Sequence, residues 1–132
     1  KKNIMKNISL IILLFNFCIL KTSAQEVSLF NGEGEAIAYI DYQEDATIFL
    51  WEGTPLAFLE NDENEKAIIG FNGDFVGWYD GGIIYDGSGY PVGGKEDAIN
   101  IITKIEIIKG IQKITPIRPI SPITPIQPIW RM

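Results

Sequence analysis

Between residues 27 and 94 the apolar and polar positions fall into a short phrase that is written four times. Each copy has an apolar run, an aromatic, an acid or amide, a glycine, a gap, then an apolar and a small residue. The copies are Leu29-Phe30-Asn31-Gly32 through Ile37-Ala38-Tyr39 and Leu50-Trp51-Glu52-Gly53 through Leu56-Ala57-Phe58. Gly70-Phe71-Asn72-Gly73 through Val76-Gly77-Trp78 and Ile84-Tyr85-Asp86-Gly87 through Val92-Gly93-Gly94 complete the set. Self-similarity of this kind predicts an architecture built from one repeated unit.

The stretches before each turn, Val27 to Phe30, Ile48 to Trp51, Ile68 to Phe71 and Ile83 to Tyr85, are rich in β-branched and aromatic residues and read as strands. Asn31-Gly32, Asn72-Gly73 and Asp86-Gly87 predict type I′ hairpins, which need positive φ at both central residues. Glu52-Gly53 is a weaker version of the same signal. The interval from aromatic to small residue is eight in the first and fourth copies and six in the middle two, which predicts longer loops in the outer hairpins. One hairpin buries no face by itself, whereas four do so around a shared axis. Ala38, Ala57, Gly77 and Gly93 suit the crowded centre. Phe30, Trp51, Phe71 and Tyr85 are expected to form one ring of core side chains, and Tyr39, Phe58 and Trp78 part of another.

Beyond residue 97 the pattern changes. Isoleucine occupies every third position from Ile99 to Ile129, including Ile117, Ile120, Ile123 and Ile126, and Pro116, Pro119, Pro122, Pro125 and Pro128 keep the same beat. Period three fits polyproline II rather than a helix or a strand. Residues 115–129 then form an extended rod of roughly 45 Å at about 3.1 Å per residue. Residues 98–114 allow a helix from Asp97 to Lys109, a strand or extended chain, with the unbroken period and the poor helix propensity of isoleucine favouring the last. A row of isoleucines is expected to be covered or used. It either wraps back over an apolar surface of its own body, docks into another chain, or belongs to a low-complexity linker.

Three features resemble one known family, the 4-fold beta-flower proteins. These are the four aromatic-x-Gly hairpins from Val27 to Gly94, the phrases Trp51-Glu52-Gly53-Thr54-Pro55-Leu56-Ala57-Phe58-Leu59 and Phe71-Asn72-Gly73-Asp74-Phe75-Val76-Gly77-Trp78-Tyr79, and the Pro-Ile tail ending near a tryptophan. The resemblance implies a small bacterial all-β chain with four pseudo-symmetric hairpins around a central axis. It brings no established activity, so no functional residue carries over. The chain departs from the family in an apparent export signal and in a tail with fewer lysines.

Composition adds an address and removes several chemistries. Lys1, Lys2 and Lys6 precede an apolar run from Ile8 to Leu20, and Thr22-Ser23-Ala24 offers small residues for cleavage before Gln25. Residues 1–24 therefore read as a secretory signal, with Met5 a conventional start for it. The apolar run is shorter than the roughly 20 residues a membrane span needs, so no integral segment is expected after cleavage. The organisation is then 1–24 signal, 25–97 four-hairpin domain and 98–132 tail, exported to the periplasm, the cell surface or the medium. Cys18 is the single cysteine and lies in the signal, and the chain has no histidine. The mature chain thus lacks disulfides, thiolate ligands and the commonest general base.

Residues 26–97 hold 16 of the 17 acids and two bases, Lys66 and Lys95, while 98–132 holds one acid, Glu106, against five bases. An acidic body speaks against nucleic acid, and a basic tail suits its own body or a neighbour's. The carboxylates cluster as Glu33 and Glu35, as Asp41, Glu44 and Asp45, and as Asp62, Glu63 and Glu65. They are read as a solvated face rather than a hydrolase pair, for want of convergent partners. Asn61 to Glu65 and Asp80 with Asp86 lack the spacing of a calcium loop. No catalytic, cofactor or metal residue is assigned. The candidate interaction residues are Ile117, Ile120, Ile123, Ile126, Ile129 and Trp130, the last lying outside the repeat. The expected role is a non-enzymatic structural or protein–protein interaction module, self-associating or binding an unknown protein through the tail. A carbohydrate-binding module using exposed aromatics is the alternative, and a carboxylate hydrolase the second.

Overall fold

The computed structural model describes residues 25–61, 66–120 and 122–131. The signal reading and the acids Asp62, Glu63 and Glu65 lie outside the described residues. Eight strands form a closed antiparallel barrel in sequence order: β1 (Glu26–Asn31), β2 (Ala36–Asp41), β3 (Thr47–Leu50), β4 (Pro55–Asn61), β5 (Lys66–Gly70), β6 (Phe75–Asp80), β7 (Ile83–Tyr85) and β8 (Pro91–Gly94). β1 pairs with β8 through Phe30↔Gly94 and Asn31↔Gly93, so no strand edge is left open. The fold is all-β, as the four-hairpin reading expects, with a single short 3-10 turn at Tyr42–Glu44 between β2 and β3.

The four hairpins are more alike than their sequences suggest. Each carries a register shift at the same place: Leu29/Phe30, Ile48/Phe49, Ile68/Ile69 and Ile84/Tyr85. Each loop closes with the same pair of backbone bonds, Asn31 N to Glu35 O with Gly34 N to Asn31 O, and likewise for Leu50–Thr54, Gly70–Asp74 and Asp86–Tyr90. The glycines at positive φ in these four loops are Gly34 (81°), Gly53 (107°), Gly73 (91°) and Gly89 (88°). This is the three-residue hairpin loop, a turn followed by a left-handed glycine that makes a bulge.

Two expectations are corrected here. Gly32 and Gly87 are not the left-handed positions, so Asn31-Gly32 and Asp86-Gly87 are not type I′ turns. The Asn31 and Asp86 carboxamide and carboxylate oxygens instead accept from the backbone two and four residues on, capping the loop from its first residue. The outer loops are also no longer than the inner ones. Phe30 is equivalent to Phe49, Ile69 and Tyr85, not to Trp51 and Phe71, and the step to the small residue is then eight in every hairpin.

Strand alternation divides the apolar residues into two layers. Leu29, Ala38, Ile40, Ile48, Ala57, Leu59, Ile68 and Tyr79 make one cluster that draws on six strands and fills the barrel interior. The small residues do stand at the crowded positions: a Cβ on Gly93 would lie 2.5 Å from the Phe30 carbonyl oxygen. Among the aromatics, however, only Tyr79 joins the interior cluster. Most of the others gather in two further clusters, one around Phe58, Trp78 and Tyr85 and one around Tyr39, Phe49 and Trp51. Phe49, Tyr39 and Trp78 are nonetheless 0%, 1% and 2% exposed, each such burial being worth roughly 1.5–3 kcal/mol. Part of what covers this outer layer is the tail.

Candidate functional site: the tail and the surface it presents

Residues 102–120 and 122–131 contain neither helix nor strand. Their hydrogen bonds run to the barrel, in a register of nine residues per hairpin. Lys104 N donates to Gly34 O, Lys113 N to Gly53 O and Arg131 N to Gly89 O, at 2.8 to 2.9 Å. Lys104 and Lys113 are nine apart, and Arg131 lies twice nine further on. The intermediate position, opposite Gly73, is Pro122, which has no N–H to give; there Pro119 comes against the turn instead. Nine residues are three periods of the isoleucine pattern, so each hairpin takes up three isoleucines. The nine-residue register is visible in the sequence as the spacing of Lys104 and Lys113 or of Lys109 and Arg118, but only the position of the loops gives that spacing a meaning.

The side chains that meet the barrel follow the same step. Lys109 lies 4.4 Å from the Tyr39 ring and 5.2 Å from that of Trp51, and Arg118 lies 4.4 Å from the ring of Phe58, the equivalent of Tyr39. Gln112 donates to the buried Asp41 carboxylate at 2.8 Å, and Trp130 donates to Asp80 at 2.9 Å. Trp51 donates its indole N–H to Ile107 O at 3.1 Å while its own carbonyl accepts from Gly110. Lys104, Lys109 and Lys113 pair with Glu35, Glu26 and Glu52. The charge asymmetry between body and tail is thus spent between them. Burial raises the pKa of Tyr39, against which the Gln112 hydrogen bond acts, and burial pushes Tyr79 up to about 12.

The isoleucines do the opposite of covering the barrel. From Ile102 to Ile129, the ten at every third position are 90–98% exposed, with Ile117, Ile120, Ile123, Ile126 and Ile129 all in that range. The tail is inverted relative to an ordinary amphipathic segment, polar side in and apolar side out. The reason is the barrel's own surface: its loops offer carbonyls, carboxylates and aromatic faces, which bond lysine, glutamine and arginine better than isoleucine does. Trp130, the one candidate of another type, packs on its own barrel, stacked on Tyr85 and edge-on to Trp78. The barrel adds Ile37, Leu56, Val76 and Val92, one equivalent residue per hairpin, each 43–53% exposed.

Among the described residues, four of the acids grouped by sequence have partners. Asp41 caps the Tyr42–Glu44 turn through Gln43 N as well as accepting from Gln112, Glu35 pairs with Lys104, Asp80 holds Trp130 and Asp86 caps its loop. Among the described residues no group of three or more acids is placed to hold a metal ion, and no helix is long and apolar enough to cross a membrane. No curated protein and no solved structure gives a significant match to this sequence. A family model described as 4-fold beta flower protein matches residues 27–132, both the barrel and the tail, and the chain belongs to that family.

Proposed function

We propose that the protein is an exported, non-enzymatic interaction module whose tail is held on its own barrel by polar bonds in order to display isoleucines to another protein. The observation that carries this reading is the 90–98% exposure of ten isoleucines at period three, since contiguous apolar surface on a soluble protein marks a place of contact. The rod is held by backbone bonds at three hairpins, so little ordering remains to be done on binding, which favours affinity. The commitment of Asp41, Asp80 and Asp86 to caps and tail contacts supports a structural rather than a catalytic use of the carboxylates. The burial of Trp51 and Trp78 weighs against an aromatic sugar platform. Export rests on the basic head, apolar run and small residues of the first 24 positions.

The test compares the chain with a variant carrying Ile117→Ser, Ile120→Ser and Ile123→Ser. Absolute mass by light scattering and quantitative crosslinking in the producing cells are measured for both. The expected result is an assembly, with itself or with a defined protein, that the variant loses while keeping its circular dichroism. If the two chains show the same mass and the same crosslinked species, the isoleucine surface is not an interaction surface.

A further inference from the structure

A cavity lies where the tail passes the β2–β3 connection. It measures about 600 Å³ and is lined by Tyr42, Asp45, Phe58, Glu60, Lys66 and Arg118, with Ala46, Leu59 and Pro119 completing the wall. That volume falls within the range of small-molecule sites, roughly 300–1,000 Å³.

Two observations set this corner apart from its equivalents. The first is the backbone. β6 and β7 are joined by Gly81-Gly82 alone, two glycines at φ 58° and 83°. The β2–β3 connection uses five residues and puts Asp45 (φ 53°) and Ala46 (φ 58°) in the left-handed region one after the other. Non-glycine residues rarely sit there, and such strain gathers at ligand sites. Thr47 Oγ1 donating to Glu44 O and Leu59 N donating to Ala46 O hold the connection in this shape.

The second is the state of the charges. Lys104, Lys109 and Lys113 each close an ion pair with an acid of the barrel. Arg118, nine residues beyond Lys109, does not: it donates to the Asp45 carbonyl and lies 4.4 Å from the centre of the Phe58 ring. Lys66 is held 5.5 Å over the Tyr42 ring. Among the described residues the cavity therefore has two cations over aromatic rings and two carboxylates, Asp45 and Glu60. Among the described residues none of these four is ion-paired with another. The aromatic faces are occupied by the cations, which leaves no platform for a sugar ring.

We propose that this cavity binds a short peptide with both termini free, its carboxylate taken by Arg118 and Lys66 and its ammonium by Glu60 and Asp45. Two charges of each sign around one cavity match a ligand that carries both, and charge-assisted bonds to a carboxylate suit the remaining guanidinium donors of Arg118. A free amino acid would leave most of the volume empty, whereas a tripeptide occupies far more of it. Because Arg118 and Pro119 come from the tail, the site exists only while the tail is seated. It uses none of the isoleucines, so its failure and that of the interaction surface are read separately.

The experiment is calorimetric titration of the full chain with tri-alanine, N-acetyl-tri-alanine and tri-alanine amide. The free tripeptide is expected to bind saturably, and each blocked form at least about tenfold more weakly. Arg118→Gln is expected to weaken the free peptide by a similar factor while making little difference to the amide, and Glu60→Gln to do the same with respect to the acetylated form. No saturable heat with tri-alanine up to about 10 mM, or equal binding of the three peptides, overturns the proposal. The comparison of peptides needs no variant, so a folding defect in either substitution leaves the test intact.

Discussion

The ring of Trp130 lies on that of Tyr85 with centroids 4.1 Å apart and planes 8° from parallel, although 45 residues of chain separate them. The stack joins the last described turn of the tail to the fourth hairpin. The indole N–H goes to Asp80 on the neighbouring strand, and Arg131 N goes to Gly89 O. The end of the tail is therefore fastened by a ring stack, an indole hydrogen bond and a backbone hydrogen bond.

Trp130→Ala removes a half-buried aromatic, its stack and its hydrogen bond. The expected loss is about 2 kcal/mol, below the roughly 3–5 of a fully buried ring. Trp130→Phe keeps a ring on Tyr85 and loses the bond to Asp80, at about 1 kcal/mol. Urea unfolding midpoints measure both, and equal values for the two variants would show that Asp80, not the stack, fastens the tail.

The loop geometry separates two glycines that look alike in sequence. Gly53 sits at φ 107°, and a Cβ there would overlap the Ile111 carbonyl of the tail, whereas Gly32 has open space around it and ordinary φ. Gly53→Ala is expected to cost at least about 2 kcal/mol, and Gly32→Ala to stay within about 0.5. Had Asn31-Gly32 formed a type I′ turn, the second substitution would hurt as well. Thermal melting of the pair decides.

Gly110 follows Lys109, where a helix from Asp97, one of the readings the sequence allows, would stop. Its role is instead one of close approach: its N–H donates to Trp51 O at 3.0 Å, and a Cβ would run into the backbone of Glu52. Gly110→Ala is expected to lift the tail locally, releasing Lys109 from Tyr39 and Trp51. Faster amide exchange at Gly110 and Lys113 with the barrel amides still protected is the signature, and unchanged exchange at both would refute the close contact.

Isoleucine substitutions are expected to be nearly silent for stability. Ile120→Ser replaces a side chain 95% exposed, so the change stays within about 0.5 kcal/mol. Ile68→Ser in the barrel interior, 4% exposed, is expected to cost several-fold more, about 3 kcal/mol. Chemical denaturation of the two checks the inside-out reading of the tail directly.

Alkaline pH weakens the barrel through Tyr79. Its folded pKa is raised by burial to about 12 from the ordinary 10.0, so the folded state holds the proton more tightly than the unfolded one. The stability contribution is complete below pH 10 and is lost as pH rises from there to about 12, by up to ~1.4 kcal/mol per pH unit. Tyr79→Phe is expected to flatten that part of the profile, followed by denaturation at a series of pH values with ultraviolet titration of the phenols.

The sequence by itself determined the four hairpins, the all-β class, the small residues at the axis and the period of the tail. These are local matters: strand alternation, Asx-Gly turn chemistry and a three-residue beat are each written within a few residues of where they act. Alignment of the repeats was legible only in part. Trp51 and Phe71 occupy the phrase position of Phe30 and Tyr85, yet they stand two residues further along, in the loop, because Gly53 and Gly73 hold its left-handed third position and Gly32 and Gly87 its first. Only the closed sheet, with its eight pairings, settles which residue faces inward. The tail's orientation is likewise a tertiary decision. Its isoleucine row is equally compatible with covering the barrel or facing away from it. What chooses is the surface opposite: loop carbonyls at Gly34, Gly53 and Gly89, carboxylates at Asp41 and Asp80, and the faces of Tyr39 and Phe58. Those groups come together only when the barrel closes, and they draw in the polar side of the tail and turn the apolar side out.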